Sequence, residues 1–412
     1  MARFARFSAL VMVPILAVSA LAGPRDVTLD RALELFYKNN FDIIIHKYEV
    51  DKAYAEFVGA RLLPNPSASF DYTDIQFGRG GVYLGDNTQW TARLDQLIEI
   101  GGKRGLRKSV AASGLEASRL GHQDVIRNLL VGFYSLFNDL ILDELNVGFV
   151  RDEIERLDRV RTVSDQRYAA GFLTEIDHEK LKLSRVELEN DLARLENQYE
   201  NDLELFQVLL GSPDPLKPSE PPLKPTFVDY DAETLIRAAG QNRYDLLALK
   251  KQVEAAESAV RLAKAGAMPD LTIGAEYDSL GPTHAPAFGV GIGLDLPLFN
   301  RNQKDILISK SLLGQLQVQV EKTRRQIGAE VRQGVNNYRA AFKVFESYEK
   351  KRGEWDDLLE KSRQAFSLGG ITVLDLMDTE RTYRDFKLKC NQALIQCRLD
   401  EQLLRIYTGG IP

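Results

Sequence analysis

Apolar residues recur in steps of three and four over long tracts of this chain. Ile126, Leu130, Phe133, Phe137 and Leu140 are spaced 4, 3, 4, 3. Tyr338, Phe342 and Phe345 repeat the 4, 3 step, and Tyr383, Phe386, Cys390, Leu394 and Cys397 follow 3, 4, 4, 3. Such spacing gathers apolar side chains into one stripe of a helix and leaves its other faces wet. Runs such as Glu349-Lys350-Lys351-Arg352 then read as solvated helix surface. Four short segments alternate with period two instead. Phe288, Val290, Ile292 and Leu294 interleave with Gly289, Gly291, Gly293 and Asp295. Leu271, Ile273, Ala275 and Tyr277 interleave with Thr272, Gly274, Glu276 and Asp278, and Trp90, Ala92 and Leu94 with Gln89, Thr91, Arg93 and Asp95. The pattern is weaker at Ala68, Phe70 and Tyr72. These are the marks of strands with one apolar and one polar face.

The prolines set the boundaries. Residues 67–212 and 298–411 contain none, so very long helices are allowed there. Six prolines fall between Pro213 and Pro225 and read as a linker. The predicted order is helix 29–63, strands 67–77 and 88–98, helices 104–163 and 175–211. The second half repeats it: helix 231–265, strands 271–278 and 287–296, helices 303–366 and 373–408. Loops 78–87 and 279–286 would be the strand-hairpin tips. The two halves also match in sequence. Asn40-Phe41-Asp42 corresponds to Arg243-Tyr244-Asp245 at offset 203, and Gly171 to Asp177 corresponds to Gly369 to Asp375 at offset 198. The chain divides into 1–22, repeat 1 at 23–212 (β-hairpin 67–98, helical hairpin 104–211), linker 213–230, and repeat 2 at 231–412 (β-hairpin 271–296, helical hairpin 303–408). A helix over 104–163 spans about 90 Å. In each half the two shorter helices, laid end to end, match the long one, which predicts an extended helical wall.

The first 22 residues read as an export signal. Arg3 and Arg6 precede an apolar Ala9–Val18 stretch and a small-x-small site at Ala20-Leu21-Ala22. Beyond it no run of apolar residues is long enough for a membrane helix, so any span must use strands. Alternation alone equally fits a sheet with one buried face. With an export signal and long helices it fits a transmembrane barrel with a wet interior. Four strands cannot enclose a channel, so several chains must contribute, their number being open.

Composition adds exclusions. Fifty-three Lys and Arg against 59 Asp and Glu give a net charge of −6, which argues against a nucleic-acid partner. Two cysteines build neither a disulfide framework nor a Cys-rich zinc site. His46, His122, His178 and His284 are scattered, and Cys390 and Cys397 are about 10 Å apart along one helix, so neither metal nor bridge is expected. There is no P-loop, nucleophile elbow or His-Glu-x-x-His, so no enzyme and no cofactor are expected.

The turn Leu97-Ile98-Glu99-Ile100-Gly101-Gly102-Lys103-Arg104-Gly105, its counterpart Leu296-Pro297-Leu298-Phe299-Asn300-Arg301-Asn302-Gln303, and the two Gly-x-x-Thr-x-x-Asp turns resemble the TolC family of outer-membrane efflux proteins. The resemblance covers the chain after the export signal, and Gly-Gly-Lys-Arg is most similar to the heavy-metal (Czc/Cus-type) branch. It implies a mixed α/β membrane protein, a homotrimer whose twelve strands form one β-barrel continued by a periplasmic α-helical barrel. It also implies the outer membrane of a Gram-negative bacterium, a periplasmic membrane-fusion adaptor and an inner-membrane RND-type pump. The substrate would be heavy-metal cations, with drug efflux or type I protein secretion as alternatives. A periplasmic coiled-coil adaptor without a pore is the alternative of another class. The adaptor would meet the helical hairpin tips at Arg167, Gly171, Thr174, Arg363, Gly369 and Thr372. Gly171 and Gly369 allow the turn, and Thr174 and Thr372 suit N-caps, with or without a partner. Asp375 and Asp378 lie i, i+3 on one helical face. In the family an Asp pair here rings the closed periplasmic entrance, although both also suit a helix N-terminus. Asp177 matches the family's acidic lock residue, but Phe366 and Ile371 stand where its tyrosine and arginine partners are expected.

Overall fold

The computed structural model describes residues 24–78, 81–221, 224–279 and 285–410. The export signal and His284 lie outside them. The first half comprises β1 (Arg25–Val27), α1 (Leu29–Asn39), α2 (Phe41–Ala60), β2 (Ser67–Gly78), β3 (Gly81–Ile98), α3 (Lys103–Ala169) and α4 (Glu175–Leu210). The second comprises β4 (Leu216–Pro218), α5 (Ala232–Asn242), α6 (Tyr244–Ala265), β5 (Leu271–Ser279), β6 (Ala287–Leu294), α7 (Gln303–Ser367) and α8 (Val373–Tyr407). At 67 and 65 residues, α3 and α7 lie wholly within the proline-free tracts and run for about 100 Å each.

Four expectations change. The helices predicted over 29–63 and 231–265 are each broken, at Asn40 (φ −57°, ψ 126°) and Arg243 (φ −66°, ψ 123°). Asn39-Asn40 and Asn242 are poor helix formers that suit a break, and distant contacts hold both breaks in place. The Asn40 side chain accepts from Ile43 N at 3.0 Å and donates to Leu209 O at 2.8 Å. Arg243 is buried and binds Asp245 and Glu330 at 2.6 and 2.5 Å. Gly211 (φ +57°) packs on Asn39, and Gly409 (φ +88°) on Asn242. Each returning helix therefore ends against a break, at a left-handed position that only glycine adopts cheaply.

Residues 81–87 are not part of a loop, because β3 begins at Gly81 and Gly78 pairs with Gly81. Glycines there suggested a turn, but pairing satisfies the backbone whatever the side chains, and Val82-Tyr83-Leu84 favour extension. The proline-rich linker is also tied down: β4 pairs in parallel with β1. Finally, an 18-residue window of α3 reaches a mean hydropathy of 1.4, enough for a membrane span by composition. Half of it is buried, and α3 supplies Ile126, Leu130, Phe133, Phe137 and Leu140 to a core shared with α1, α4 and α8.

The larger sheet is antiparallel in the order β2-β3-β5-β6. The helices continue that order, with α2 against α3, α3 against α6, and α6 against α7. Beyond the α1 and α5 level, α4 packs on α3, α3 on α8, and α8 on α7. The molecule is thus one long layer, with the strand hairpins at one end and the helical turns at the other.

Candidate functional site

The turn from α3 to α4 is built by its sequence. Gly171 (φ +77°) lets Phe172 N donate to Arg167 O at 2.8 Å and Gly171 N to Tyr168 O at 2.9 Å. This is a Schellman closure. The turn from α7 to α8 repeats it: Gly369 (φ +81°), Gly370 N to Ala365 O at 2.8 Å, Gly369 N to Phe366 O at 3.0 Å. Thr174 and Thr372 cap the returning helices, accepting from Asp177 N at 3.1 Å and Asp375 N at 3.2 Å. Asp375 answers by accepting from Thr372 N at 3.0 Å, and Asp177 from the Thr174 hydroxyl at 2.8 Å.

Asp375 and Asp378 are both exposed on α8. The hydroxyl and backbone N–H of Thr372 hold the Asp375 carboxyl below its usual range. Asp378 borders a cavity of about 260 Å³ between α3, α4 and α8, with Glu153, Leu188, Met377 and Glu380. Asp177 is bound by Thr174 and, at 3.4 Å, Lys180. Among the described residues no hydrogen bond or ion pair joins it to Asp375 or Asp378. Phe366 is buried with Leu181, Val373 and Leu376. Arg167 reaches across from the other hairpin, donating to Phe366 O at 2.6 Å with its guanidinium 5.0 Å from the Phe366 ring. Arg167 on Phe366 thus forms an arginine-on-phenylalanine clasp between the two hairpins.

Arg363 points into the layer rather than out of the tip. It grips Glu380 at 2.7 and 2.8 Å and lies 3.7 Å from Glu153. Glu153 is 4% exposed and also accepts from Arg156 at 2.7 Å. Burial and the nearby Glu380 push the Glu153 carboxyl up, against the pull of Arg156 and Arg363. Sequence reasoning missed Glu153 and Glu380, which join α3, α7 and α8. It also missed the exposed apolar residues of the turns, Phe172 at 74% and Leu368 at 88%.

His178 stacks on Tyr168 at 4.7 Å and sits 3.5 Å from Asp165. No group of three metal-ligating side chains occurs among the described residues. Cys390 and Cys397 are free, and burial pushes the Cys397 thiol up to about 12.

The family described as outer membrane efflux protein matches residues 235–410. The pyoverdine export outer membrane protein OpmQ of Pseudomonas putida is 25% identical, covering 95% of this chain and 87% of that protein. The cobalt-zinc-cadmium resistance protein CzcC of Cupriavidus metallidurans is 24% identical over 72% of this chain and 68% of that one. A crystal structure of CusC superposes with a TM-score of 0.80 at 15% identity, over 96% of both chains, and shows the same fold.

The chain is similar to the outer-membrane efflux proteins of the TolC family, whose model matches its second half.

Members of this family serve as outer-membrane channels of tripartite systems that include an adaptor and an inner-membrane pump. The strand end of the layer therefore belongs to the outer membrane and the helical turns to the periplasm.

Proposed function

We propose that three copies close this layer into a conduit for heavy-metal cations, their four-stranded sheets forming one twelve-stranded barrel. The observation that carries the closure is the sheet's outer face. Phe288, Val290 and Ile292 are 85, 83 and 72% exposed there, on strands too few to enclose anything. The edges support it as well: β2 and β6 each pair on one side only, and an open edge invites another strand. Beside them α2 exposes Phe41, Ile45 and Tyr48, and α7 exposes Leu307, Ile308 and Val318. Each chain's α2 edge would meet its neighbour's α7 edge, a head-to-tail contact that closes into a ring.

In this reading each chain supplies one repeat at 23–212 and a second at 231–412, and the conduit carries out no catalytic step. Asp375 and Asp378 of three chains ring the periplasmic entrance, with Asp177 holding the neighbouring turn. An adaptor seats on Gly171, Thr174, Gly369, Thr372 and the apolar Phe172 and Leu368, with Arg167 and Arg363 bracing the turns from inside. The cation substrate rests on the likeness to a cobalt-zinc-cadmium resistance protein. A second reading, export of an organic chelator, rests on the fuller-length likeness to a pyoverdine exporter.

The test combines crosslinking of purified protein, planar-bilayer recording and growth of a deletion strain. A trimeric, conducting species whose loss sensitises cells to cobalt, zinc or cadmium is expected. Asp375→Ala with Asp378→Ala should raise conductance or weaken cation block. A soluble, non-conducting protein sinks the conduit; metal tolerance that is unchanged while chelator export fails replaces the substrate.

A further inference from the structure

Register fixes which side chains share a face of the sheet, because directly paired residues point the same way. One face carries the rows Phe70–Ala92–Tyr277–Phe288 and Ala68–Leu94–Ala275–Val290. The other carries Asp71–Thr91–Asp278, Ser69–Arg93–Glu276–Gly289 and Ser67–Asp95–Gly274–Gly291. Among the described side chains of these strands, every charged one is on this second face: Asp71, Asp95, Glu276 and Asp278 against Arg93.

Two layers of this face differ. In one, Arg93 Nε lies 2.8 Å from Asp95 Oδ2, and its Nη1 3.2 Å from Glu276 Oε2. Three glycines face this network. A Cβ on Gly274 would run into Asp95 Oδ1, one on Gly289 would lie 2.7 Å from Glu276 Oε1, and one on Gly291 3.7 Å from Arg93 Nη2. The network therefore lies flat against bare backbone. In the next layer Asp278 accepts from the Thr91 hydroxyl at 2.6 Å, and Asp71 is exposed. Neither has an ion-pair partner among the described residues.

We propose that Asp71 and Asp278 set the cation preference of the outer-membrane end of the conduit, and that the glycine-bedded Arg93–Asp95–Glu276 network keeps its bore wide. The inference rests on the shared barrel proposed above. Its physical basis is that uncompensated carboxylates lining a narrow aqueous bore raise the local cation concentration, most strongly at low salt. Arg93 and its two partners leave one net negative charge, whereas Asp71 and Asp278 contribute two, so most of the wall's charge lies one layer away. A side chain at Gly289 would lift Glu276 and Arg93 off the wall and into the passage.

The experiment is reversal-potential measurement on single channels under a potassium chloride gradient at low salt. Asp71→Asn with Asp278→Asn should lower the cation-over-anion permeability ratio by about threefold or more. Gly289→Leu should lower conductance and leave the ratio unchanged. For a readout free of folding effects, Asp71→Cys is inserted first and then modified from the aqueous side. An anionic thiosulfonate should restore the ratio and a cationic one lower it further, with the same treatment of the unmutated channel as control. If the unmutated protein forms no channel, the conduit reading itself fails. If it conducts but the double variant keeps the full ratio, or the cysteine is unreactive from water, this inference is overturned.

Discussion

Replacing Arg363 by methionine tests how the two helical hairpins are held together. Its guanidinium makes two bonds to Glu380 at 2.7 and 2.8 Å and lies 3.7 Å from Glu153. Removing one partner of a buried pair costs about 3–5 kcal/mol. The Arg363 and Glu380 side chains are 18 and 19% exposed, so solvent screens part of the loss. The low end, about 3 kcal/mol, is expected, a change of more than about a hundredfold in the unfolding equilibrium. The penalty should depend on pH. Glu153 already has a raised carboxyl pKa, so the folded state binds its proton more tightly than the unfolded chain does. That contribution subtracts stability as pH rises above the ordinary carboxylate value of 4.5. Without Arg363 one of the two charges that oppose the raise is lost, so the defect is largest at neutral pH and shrinks toward pH 5. Adding Glu380→Met should recover most of the loss, because Glu153 then keeps Arg156 and no second carboxylate faces it. Guanidinium unfolding of the detergent-solubilised protein, followed by far-ultraviolet circular dichroism, measures all three. A loss below about 1 kcal/mol in the single variant, or a double variant no better than the single, refutes the account.

The other predictions concern the turns and one further carboxylate. Gly171→Ala and Gly369→Ala each force a side chain into left-handed backbone and should destabilise by about 1 kcal/mol, read from the same unfolding midpoints. Burial and the neighbours Asp202 and Asp139 push Asp143 up to about 7 from 3.8. Its folded-state pKa is raised, so stability should fall as pH climbs through that window, and Asp143→Asn should flatten the profile there. Phe172→Ser with Leu368→Ser, both on exposed turn positions, should leave stability within about 0.5 kcal/mol while weakening pulldown of the adaptor; an unchanged pulldown removes these two from the contact.

The elements that depend on local chemistry were legible in the sequence. Proline-free tracts became α3 and α7, and the Gly-x-x-Thr-x-x-Asp turns became Schellman closures followed by Thr caps. Alternation gave β5 and β6 nearly to their ends. The elements that depend on distant contacts were not legible. The breaks at Asn40 and Arg243 carry only a weak local mark, an Asn cap and an Arg-x-Asp pair, and are completed by Leu209, Glu330 and Tyr407 from far along the chain. The extension of β3 to Gly81 likewise needs its partner strand to be seen. Of the site, the turn glycines and threonines do what their spacing suggests. Asp177 and Asp375 have local duties as partners of the Thr174 and Thr372 caps that one sequence cannot separate from a role at an entrance.

The missed ion network did leave a trace, and it bears on how the hairpins find their register. Val150, Glu153, Leu157 and Val160 keep the 3, 4, 3 step of an apolar stripe, with an acid in one stripe position. Leu359, Arg363 and Phe366 do the same with a base, and Leu376, Glu380 and Tyr383 with an acid. An apolar stripe lets neighbouring helices slide by a turn with little loss, whereas one charge buried in it must meet its opposite. Arg363 on α7 meets an acid from α3 and another from α8, which sets the two hairpins level. The Arg167 clasp on Phe366 fixes them a second time nearer the turns. Any motion that parts the hairpins must therefore separate Arg363 from Glu153 and uncover Phe366 together. A force or partner that opens this end has to supply both at once, and loosening either alone leaves the other in place.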